Sequence, residues 1–212
     1  MKQDFIYKLI TYVDDEIVNN IINNIEEKDW YIEDYRQSAS SMSKTNSIPI
    51  FHTPLCAIND TFETFKSVQK NKLYYKYIQT IVPVLKILKN FYNFNYYTAF
   101  LSRLSPKNII EFHHDTGLFL ESCNRIHLPL KTNSEIFYHI KDRNFNWLKG
   151  CLYEFDNTNL HGVINNSDEF RIHLVINLYQ MPNHLLNQLE QDDFLLEFNN
   201  ETNYHPRRME CR

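Results

Sequence analysis

The chain has 212 residues, of which 43% are hydrophobic and 15% aromatic, and these values suit one packed globular domain and argue against disorder. Its formal net charge of −4 argues against a nucleic-acid-binding protein, because such a protein would normally carry a basic face. The sequence contains no run of about 18 apolar residues, which argues against a membrane span.

The N-terminal segment predicts a cytoplasmic protein. Its residues MKQDFIYKLITYVDDE include acids where a secretory signal peptide would need an apolar stretch. The four cysteines are scattered without a paired spacing, so we expect reduced thiols rather than a disulfide framework or a zinc ribbon. Neither a nucleic acid nor a membrane is expected as a partner.

The first third of the chain is predicted to be mostly helical and irregular. Isoleucines recur at helical spacing after Asp14-Asp15, a pair typical of a helix N-cap: Ile17, Ile21, Ile22 and Ile25. The polar, Ser-rich stretch 36–47 has no periodicity and predicts a loop. A further helical region is predicted from Lys72 to Tyr92, where Pro83 either starts a second helix or kinks the first one, because proline removes a backbone donor.

From Phe94 onwards the chain changes to short β-rich runs that are bounded by turn-forming residues. The predicted strands are Tyr96–Leu104, Ile109–Asp115, Arg125–Lys131, Ile136–Ile140, Cys151–Phe155, His161–Asn165 and Arg171–Tyr179. Short strands at this spacing predict an antiparallel sandwich or barrel. After Pro182 the pattern is helical again, so we expect a single α+β domain with a mostly helical flank (1–93), a β core (94–180) and a C-terminal helical segment (181–212).

A His-x-Asp pair lies near the end of the second predicted strand. Because side chains alternate between the faces of a strand, His113 and Asp115 share one face and His114 points the other way. One distant histidine would complete a set of two imidazoles and one carboxylate, which suits Fe(II) in oxygenases because it leaves positions open for co-substrate and O2. A His-x-Asp pair alone is weak, since such groups are more often hydrogen-bonded surface or core residues.

His161 is the candidate for the distant histidine, because it heads the strand after the turn 156–159. Ten residues later Arg171 heads the strand RIHLVINLY, in which Ile172 and its alternating partners form a core face and Arg171 takes the opposite face. A charge inside a sandwich is costly unless it is paired, so an interior arginine implies a resident anion such as a dicarboxylate co-substrate. We expect a five-residue hairpin loop that sets Arg171 opposite Asn165.

The tetrapeptide Arg-Ile-His-Leu occurs twice, from Arg125 and from Arg171. In the first copy Arg125 and His127 share a face, and the apolar residues take the other. The alternative is that both runs are amphipathic strands whose Arg and His meet solvent, and for His173 this alternative is favoured.

The sequence resembles the aspartyl/asparaginyl β-hydroxylase family of Fe(II)/2-oxoglutarate-dependent oxygenases, from about Trp30 to Tyr179. The motifs that carry the resemblance are Arg36-Gln37, the SIPIF stretch, His113-x-Asp115, RIHLPL from Arg125, GxxxxFDN from Gly150, His161, and RIHL from Arg171. Their ordered combination is more specific than any single motif. The resemblance implies a double-stranded β-helix, of the jelly-roll or cupin type, with flanking helices at both ends.

The resemblance also implies roles for individual residues. His113 and His161 match the family's iron-ligating histidines, and Arg171 matches the arginine that binds the distal carboxylate of 2-oxoglutarate. Arg125 and His127 match an Arg-x-His pair that contacts the co-substrate. Ser102 matches a serine in the same pocket, although on the sequence alone it is an ordinary strand serine. The expected cofactors are Fe(II), 2-oxoglutarate as co-substrate, and O2, with Asp115 as the third metal ligand.

Departures from the animal endoplasmic-reticulum enzymes of this family bear on the substrate. Those enzymes have Gly in place of the carboxylate ligand, and their segment between the positions of His113 and Arg125 is shorter. The differences argue against an EGF-like-domain substrate and bring the chain nearer to compact relatives that hydroxylate free amino acids such as proline. We therefore expect a hydroxylase of an amino acid, or of an Asp, Asn or Pro residue in a peptide or protein.

Two other functions are compatible with the sequence. A zinc or iron hydrolase could use the same His and Asp ligands with an activated water, but it would not explain the paired interior arginines. A non-catalytic β-sandwich that binds a ligand or a partner would be expected to have lost a metal ligand, whereas all three are present. Stimulation of 2-oxoglutarate decarboxylation by Fe(II) would decide between these functions and an oxygenase.

Overall fold

A computed structural model describes residues 5–32, 44–54 and 61–195. The strands are β1 (Tyr7–Tyr12), β2 (Thr45–His52), β3 (Gln69–Lys70), β4 (Tyr96–Leu104), β5 (Asn108–His113), β6 (Asn124–Lys131), β7 (Ile136–Ile140), β8 (Arg143–Phe145), β9 (Cys151–Phe155), β10 (His161–Asn165) and β11 (Arg171–Tyr179). The helices are α1 (Asp15–Asn23), a 3-10 helix (Glu27–Tyr31), α2 (Glu63–Lys66), α3 (Tyr74–Lys89), α4 (Leu118–Glu121) and α5 (Asn183–Leu186).

The strands form two sheets whose described pairings are all antiparallel. The larger sheet has the order β1-β9-β6-β11-β4-β2-β3, and the smaller one has the order β5-β10-β7-β8. Side chains from both sheets meet in one apolar cluster, which includes Leu104 and Phe155 from the larger sheet and Tyr138 and Val163 from the smaller one. The sheets therefore face each other, and the predicted double-stranded β-helix with flanking helices is confirmed.

The strand sequences explain why the larger sheet is covered on both faces. In β11 the residues Ile172, Leu174 and Ile176 pack into a second, larger cluster with the helices, while Arg171 and Val175 face the smaller sheet. Strand alternation produces this division. The same helical cluster takes Ile126, Leu128 and Leu130 from β6, so both Arg-Ile-His-Leu runs have their apolar residues on the helix side.

Helix α3 supplies much of the helical layer, and its buried face includes Tyr77, Ile81, Val84 and Leu88. Pro83 lies inside this single helix, so the alternative that it starts a second helix is wrong. The predicted helix after Asp14 is α1, although the Asp14 side chain makes no capping hydrogen bond.

Residues before position 94 contribute more strand than the sequence predicts. Strands β1, β2 and β3 belong to the larger sheet, where β1 pairs with β9 and β2 pairs with β4. The predicted loop 36–47 is wrong at its end, because β2 begins at Thr45; its residues 36–43, which include Arg36 and Gln37, lie outside the described residues. Residues 196–212 of the predicted C-terminal helical segment also lie outside the described residues.

The predicted hairpin between β10 and β11 is wrong. Strand β10 pairs with β5 and β7, whereas β11 pairs with β4 and β6 and sets Arg171 opposite Leu104. The five residues 166–170 therefore carry the chain from the smaller sheet to the larger one. His161 and Arg171 reach the same interior from opposite sheets rather than from one face of a hairpin. None of the helices in the described ranges is long and apolar enough to cross a membrane.

Candidate metal centre and adjoining pocket

Three candidate ligands converge at one end of the smaller sheet. His113 ends β5, His161 begins β10 directly opposite it, and Asp115 follows two residues after the end of β5. The Nε2 atom of His113 lies 3.8 Å from Oδ1 of Asp115, and Nε2 of His161 lies 4.0 Å from Oδ2. One donor atom from each residue lies within 4.8 Å of the other two, so the predicted convergence of these side chains is present.

A β-bulge turns His113 into the pocket. Two residues lie between Ile110 and His113 on β5, whereas only Gly162 lies between their partners His161 and Val163 on β10. In a regular strand Ile110 and His113 would face opposite sides, but here both line the same pocket. The register shift falls opposite Gly162, where an added Cβ would lie 2.5 Å from Cδ1 of Phe112 and 2.9 Å from the Ile110 carbonyl oxygen.

Backbone carbonyls orient both imidazole rings. Nδ1 of His113 lies 2.6 Å from the Glu111 carbonyl oxygen, and Nδ1 of His161 lies 2.8 Å from that of Asn159. A proton on Nδ1 satisfies each bond and leaves the Nε2 lone pair directed at the carboxylate, as metal-binding histidines require. Burial lowers the pKa of His161 to about 4 despite the nearby Asp115, so this ring is neutral near pH 7.

Two neighbours hold the carboxylate of Asp115, which is 6% exposed. Nη1 of Arg125 forms a short ion pair with Oδ2, and Nδ2 of Asn157 donates to the same oxygen at 3.1 Å. Burial alone would raise the pKa of Asp115, but the charge of Arg125, the two histidines and the Asn157 hydrogen bond together outweigh it. The pKa is therefore lowered, and the group is a carboxylate. Nε of Arg125 also donates to Oδ1 of Asn177 at 3.0 Å.

Arg171 extends into the sandwich from the larger sheet and is 1% exposed. Its Nη1 lies 3.4 Å from Oγ of Ser102, and its Nη2 donates to the Tyr138 hydroxyl. The Nε atom is buried and finds no hydrogen-bond partner among the residues that the structure describes. Tyr138 stacks on Trp147 with ring centroids 3.9 Å apart, and its hydroxyl lies 3.0 Å from Nδ1 of His173.

One pocket connects the candidate ligands to Arg171. It has an empty volume of about 480 Å³, which includes space open to solvent. The polar residues that line it are Ser102, His113, Arg125, His127, Tyr138, His161 and Arg171, and the apolar ones are Phe100, Ile110, Ile140, Phe155, Val163 and Val175. The structure thus brings the residues singled out in the sequence to one pocket, with Asp115 bonded to Arg125 at its edge.

The solvent-facing alternative for the Arg-Ile-His-Leu runs is wrong. Arg125 and His127 are each 8% exposed, and His173, for which that alternative was favoured, is 0% exposed. Sequence reasoning also missed Tyr138 and Asn157 as neighbours of the site. The alternation in Ile136–Ile140 could have placed Tyr138 inward with the isoleucines, and Asn157 belongs to the GxxxxFDN motif.

The side chains fit a divalent metal and an anion. The site has two imidazoles, whose Nδ1 atoms bond backbone carbonyls, and one carboxylate. This is the donor set of a facial triad, which suits non-haem Fe(II). The guanidinium of Arg171 is buried, and its unpartnered Nε shows that the described residues leave part of its donor capacity unused. A carboxylate is the group whose geometry matches that capacity.

The two facing antiparallel sheets define a double-stranded β-helix, a fold shared with a solved prolyl-4-hydroxylase structure. The family model for aspartyl/asparaginyl beta-hydroxylase matches residues 28–181, and the chain belongs to this family. A search of curated proteins finds no match.

The solved structures that are similar to this chain have low sequence identity to it. A prolyl-4-hydroxylase from Pseudomonas putida is 10% identical, with 83% of this chain and 93% of that chain covered and a TM-score of 0.54. A viral collagen prolyl hydroxylase from Paramecium Bursaria Chlorella virus-1, solved with 2OG, is 14% identical over 84% of this chain and 98% of that chain, with a TM-score of 0.46. A 2OG-Fe(II) oxygenase family oxidoreductase from Burkholderia pseudomallei is 15% identical over 65% of this chain and 67% of that chain, with a TM-score of 0.47.

Proposed function

We propose that this chain is an Fe(II)- and 2-oxoglutarate-dependent dioxygenase that hydroxylates an amino acid, or an Asp, Asn or Pro residue of a peptide or protein. The observation that carries the proposal is the convergence of His113, Asp115 and His161 on one end of a pocket that also contains the buried guanidinium of Arg171. Family membership supports the reaction class. Fe(II), 2-oxoglutarate and O2, when bound, would supply the oxidising chemistry that places a hydroxyl group on a C–H carbon.

The three ligand residues would hold the metal. If the Nδ1 atoms of His113 and His161 donate to the backbone carbonyls, the Nε2 atoms are available to the metal and binding needs no change of tautomer. Asp115 contributes the single negative charge of the set. Three protein ligands leave coordination positions free for a bidentate co-substrate and O2.

Arg171 would bind the distal carboxylate of 2-oxoglutarate, with Ser102 and Tyr138 fixing the orientation of its guanidinium. Ser102, Arg125 and His127 remain proposed co-substrate contacts. Arg125 is bonded to Asp115 in the structure, so it would act on the metal side of the pocket. The apolar walls, among them Ile110 and Val175, would exclude water from the reacting groups.

A succinate-release assay with Fe(II) and 2-oxoglutarate tests the proposal. The substrates are a panel of free amino acids and of Asp-, Asn- and Pro-containing peptides. We expect succinate production that depends on both additions, because a hydrolase or a non-catalytic sandwich would not decarboxylate 2-oxoglutarate. If no substrate of the panel gave Fe(II)-dependent succinate, and the reaction without substrate gave none either, the result would contradict the proposal.

The variant His161→Ala should abolish this turnover, because it removes one of three metal ligands. His114→Ala is the matched control: this neighbouring histidine is exposed, and its Nδ1 lies 2.9 Å from the Thr158 carbonyl oxygen. We expect the control to keep Fe(II)-dependent succinate release. Equal turnover in the wild type and in His161→Ala would count against the metal centre.

A further inference from the structure

Asn157 makes more contacts with the segment around Asp115 than a turn residue needs. It lies in the turn between β9 and β10 and is 0% exposed. Its Nδ2 donates to Oδ2 of Asp115 at 3.1 Å and to the Leu120 carbonyl oxygen in α4 at 2.9 Å. The backbone carbonyl oxygen of Asn157 accepts a hydrogen bond from the backbone N–H of Asp115 at 3.2 Å.

These bonds compensate for the position of Asp115 in the chain. Strand β5 ends at His113, so the ladder that fixes the histidine stops two residues before the carboxylate. Asn157 holds the backbone of Asp115 through one bond and its carboxylate through another. The amide Nδ2 has two protons, and the two acceptors, Asp115 and Leu120, use both of them.

The amide differs from the other partner of Asp115 in what it can do. Arg125 contributes a charge, which attracts the carboxylate from a range of directions. A neutral amide fixes direction without adding charge next to a cation site. The bond to Leu120 also ties α4 to the same amide, so the carboxylate and the helix that follows it share one anchor.

We propose that Asn157 is a positioning residue that sets the Asp115 carboxylate for metal binding, an inference that rests on the metal centre of the proposed function. It would act through Asp115, since Asn157 is not among the residues that line the pocket. Removing the amide should weaken metal binding by roughly 10- to 100-fold, the usual effect of changing a hydrogen-bond partner of a metal ligand.

The test is the dissociation constant for Co(II), measured by absorption and calorimetry on the full chain, which requires no turnover. Asn157→Ala should bind Co(II) roughly 10- to 100-fold more weakly than the wild type. Asn165→Ala is the matched control, because Asn165 is 1% exposed and its Nδ2 bonds only backbone carbonyls. The control should lose stability and keep the wild-type Co(II) affinity.

A double-mutant cycle separates positioning from general loosening of the fold. If Asn157 acts through Asp115, then Asn157→Ala should not weaken Co(II) binding further in an Asp115→Gly background. If Asn157→Ala weakened Co(II) binding by the same factor in both backgrounds, the inference would be overturned. Wild-type Co(II) affinity in Asn157→Ala, or an equal weakening of Co(II) binding in Asn165→Ala, would overturn it as well.

Failure of the metal centre itself gives a different result, because the wild type would then bind no Co(II). That outcome would overturn the proposed function and the inference together. Should Asn157→Ala not fold, Asn157→Ser keeps one donor that cannot serve both Asp115 and Leu120. We expect an intermediate loss for Asn157→Ser, and wild-type Co(II) affinity in it would overturn the inference.

Discussion

Two buried arginines on neighbouring strands are stabilised in different ways. Arg103 on β4 pairs with Glu27 at 2.7 Å and lies between the rings of Trp30 and Phe170. Arg171 on β11 bonds two hydroxyl groups, and the described residues give it no ion pair. Because a buried cation is costly without a counter-charge, the environment of Arg171 favours a bound anion.

The variant Arg171→Ala should therefore raise the KM for 2-oxoglutarate. Loss of a buried charge-assisted contact corresponds to about 2 kcal/mol or more, which is roughly 30-fold in KM. The measurement is succinate release as a function of 2-oxoglutarate concentration. Arg103→Ala is the control, since it removes an equally buried guanidinium that faces away from the pocket, and it should leave that KM unchanged. An unchanged KM in Arg171→Ala would contradict the assignment.

The buried His173 should make the free energy of unfolding depend on pH. Burial, with Arg171 and His127 adding to it, holds the pKa of His173 well below its ordinary value of about 6.5. Between that value and the lowered one, the unfolded chain binds a proton that the folded chain does not bind. The free energy of unfolding should therefore fall as the pH drops below about 6.5, by at most about 1.4 kcal/mol per pH unit for this group.

Urea unfolding at pH 7 and pH 5 checks this expectation. His173→Gln should lose less stability between the two pH values than the wild type, and a substitution of the exposed His184 should lose as much as the wild type. An unchanged difference in His173→Gln would show that His173 does not contribute to the acid sensitivity.

At the scale of elements, the strands of the core could be predicted from the sequence and their pairing could not. Ile136–Ile140, Cys151–Phe155 and Arg171–Tyr179 have the predicted bounds because each is a run of β-branched, aromatic and other apolar residues bounded by turn-forming residues. Strand β2 was missed because its polar first residues continue a Ser-rich stretch and Pro49 interrupts its pattern. A five-residue connection is compatible both with a hairpin and with a crossing between sheets, and the structure has the crossing.

The bulge in β5 could not be predicted from the sequence either, because it depends on the pairing with β10, about fifty residues further along the chain. Gly162→Ala should disturb it, since the new methyl group would overlap Phe112 and the Ile110 carbonyl oxygen. We expect a loss of about 1–3 kcal/mol in stability, as for other overpacked sites, together with weaker metal binding as His113 moves. Thermal unfolding with and without Co(II) measures both effects.

Adding Phe112→Ala to Gly162→Ala provides the control for that prediction. The smaller side chain removes the overlap with the ring and leaves the one with the Ile110 carbonyl oxygen, so part of the stability and of the Co(II) affinity should return. If Gly162→Ala alone matched the wild type in both measurements, the close packing at the bulge would not be what sets His113.

For the whole molecule, metal binding should couple to stability. A metal present at 100 times its dissociation constant stabilises the folded state by about 2.7 kcal/mol, which corresponds to roughly 5–10 °C in Tm for a chain of this size. We expect Co(II) to raise Tm by that amount and a chelator to reverse it. His161→Ala should show no shift, and an equal shift in His161→Ala would mean that the metal binds elsewhere.

Most residues of the candidate site could be singled out in the sequence because they stand in a short local pattern, such as His113-x-Asp115 or the Arg-Ile-His-Leu runs. Asn157 and Tyr138 were missed because their importance comes from contacts across sheets and turns, 42 residues away in the chain for Asn157 and Asp115. Strand alternation could have placed Tyr138 inward, but no local pattern identifies the residues that Tyr138 or Asn157 contacts.

The two faces of the larger sheet have different roles, because one carries most of the apolar packing and the other borders the pocket. The face towards the helices carries the larger apolar cluster, which has no part in the pocket, while the pocket opens into the smaller cluster between the sheets. Changes to the pocket lining therefore leave most of the apolar packing intact. Substitutions among the inward side chains should therefore reshape the pocket at little cost to the packing that keeps the helical side folded.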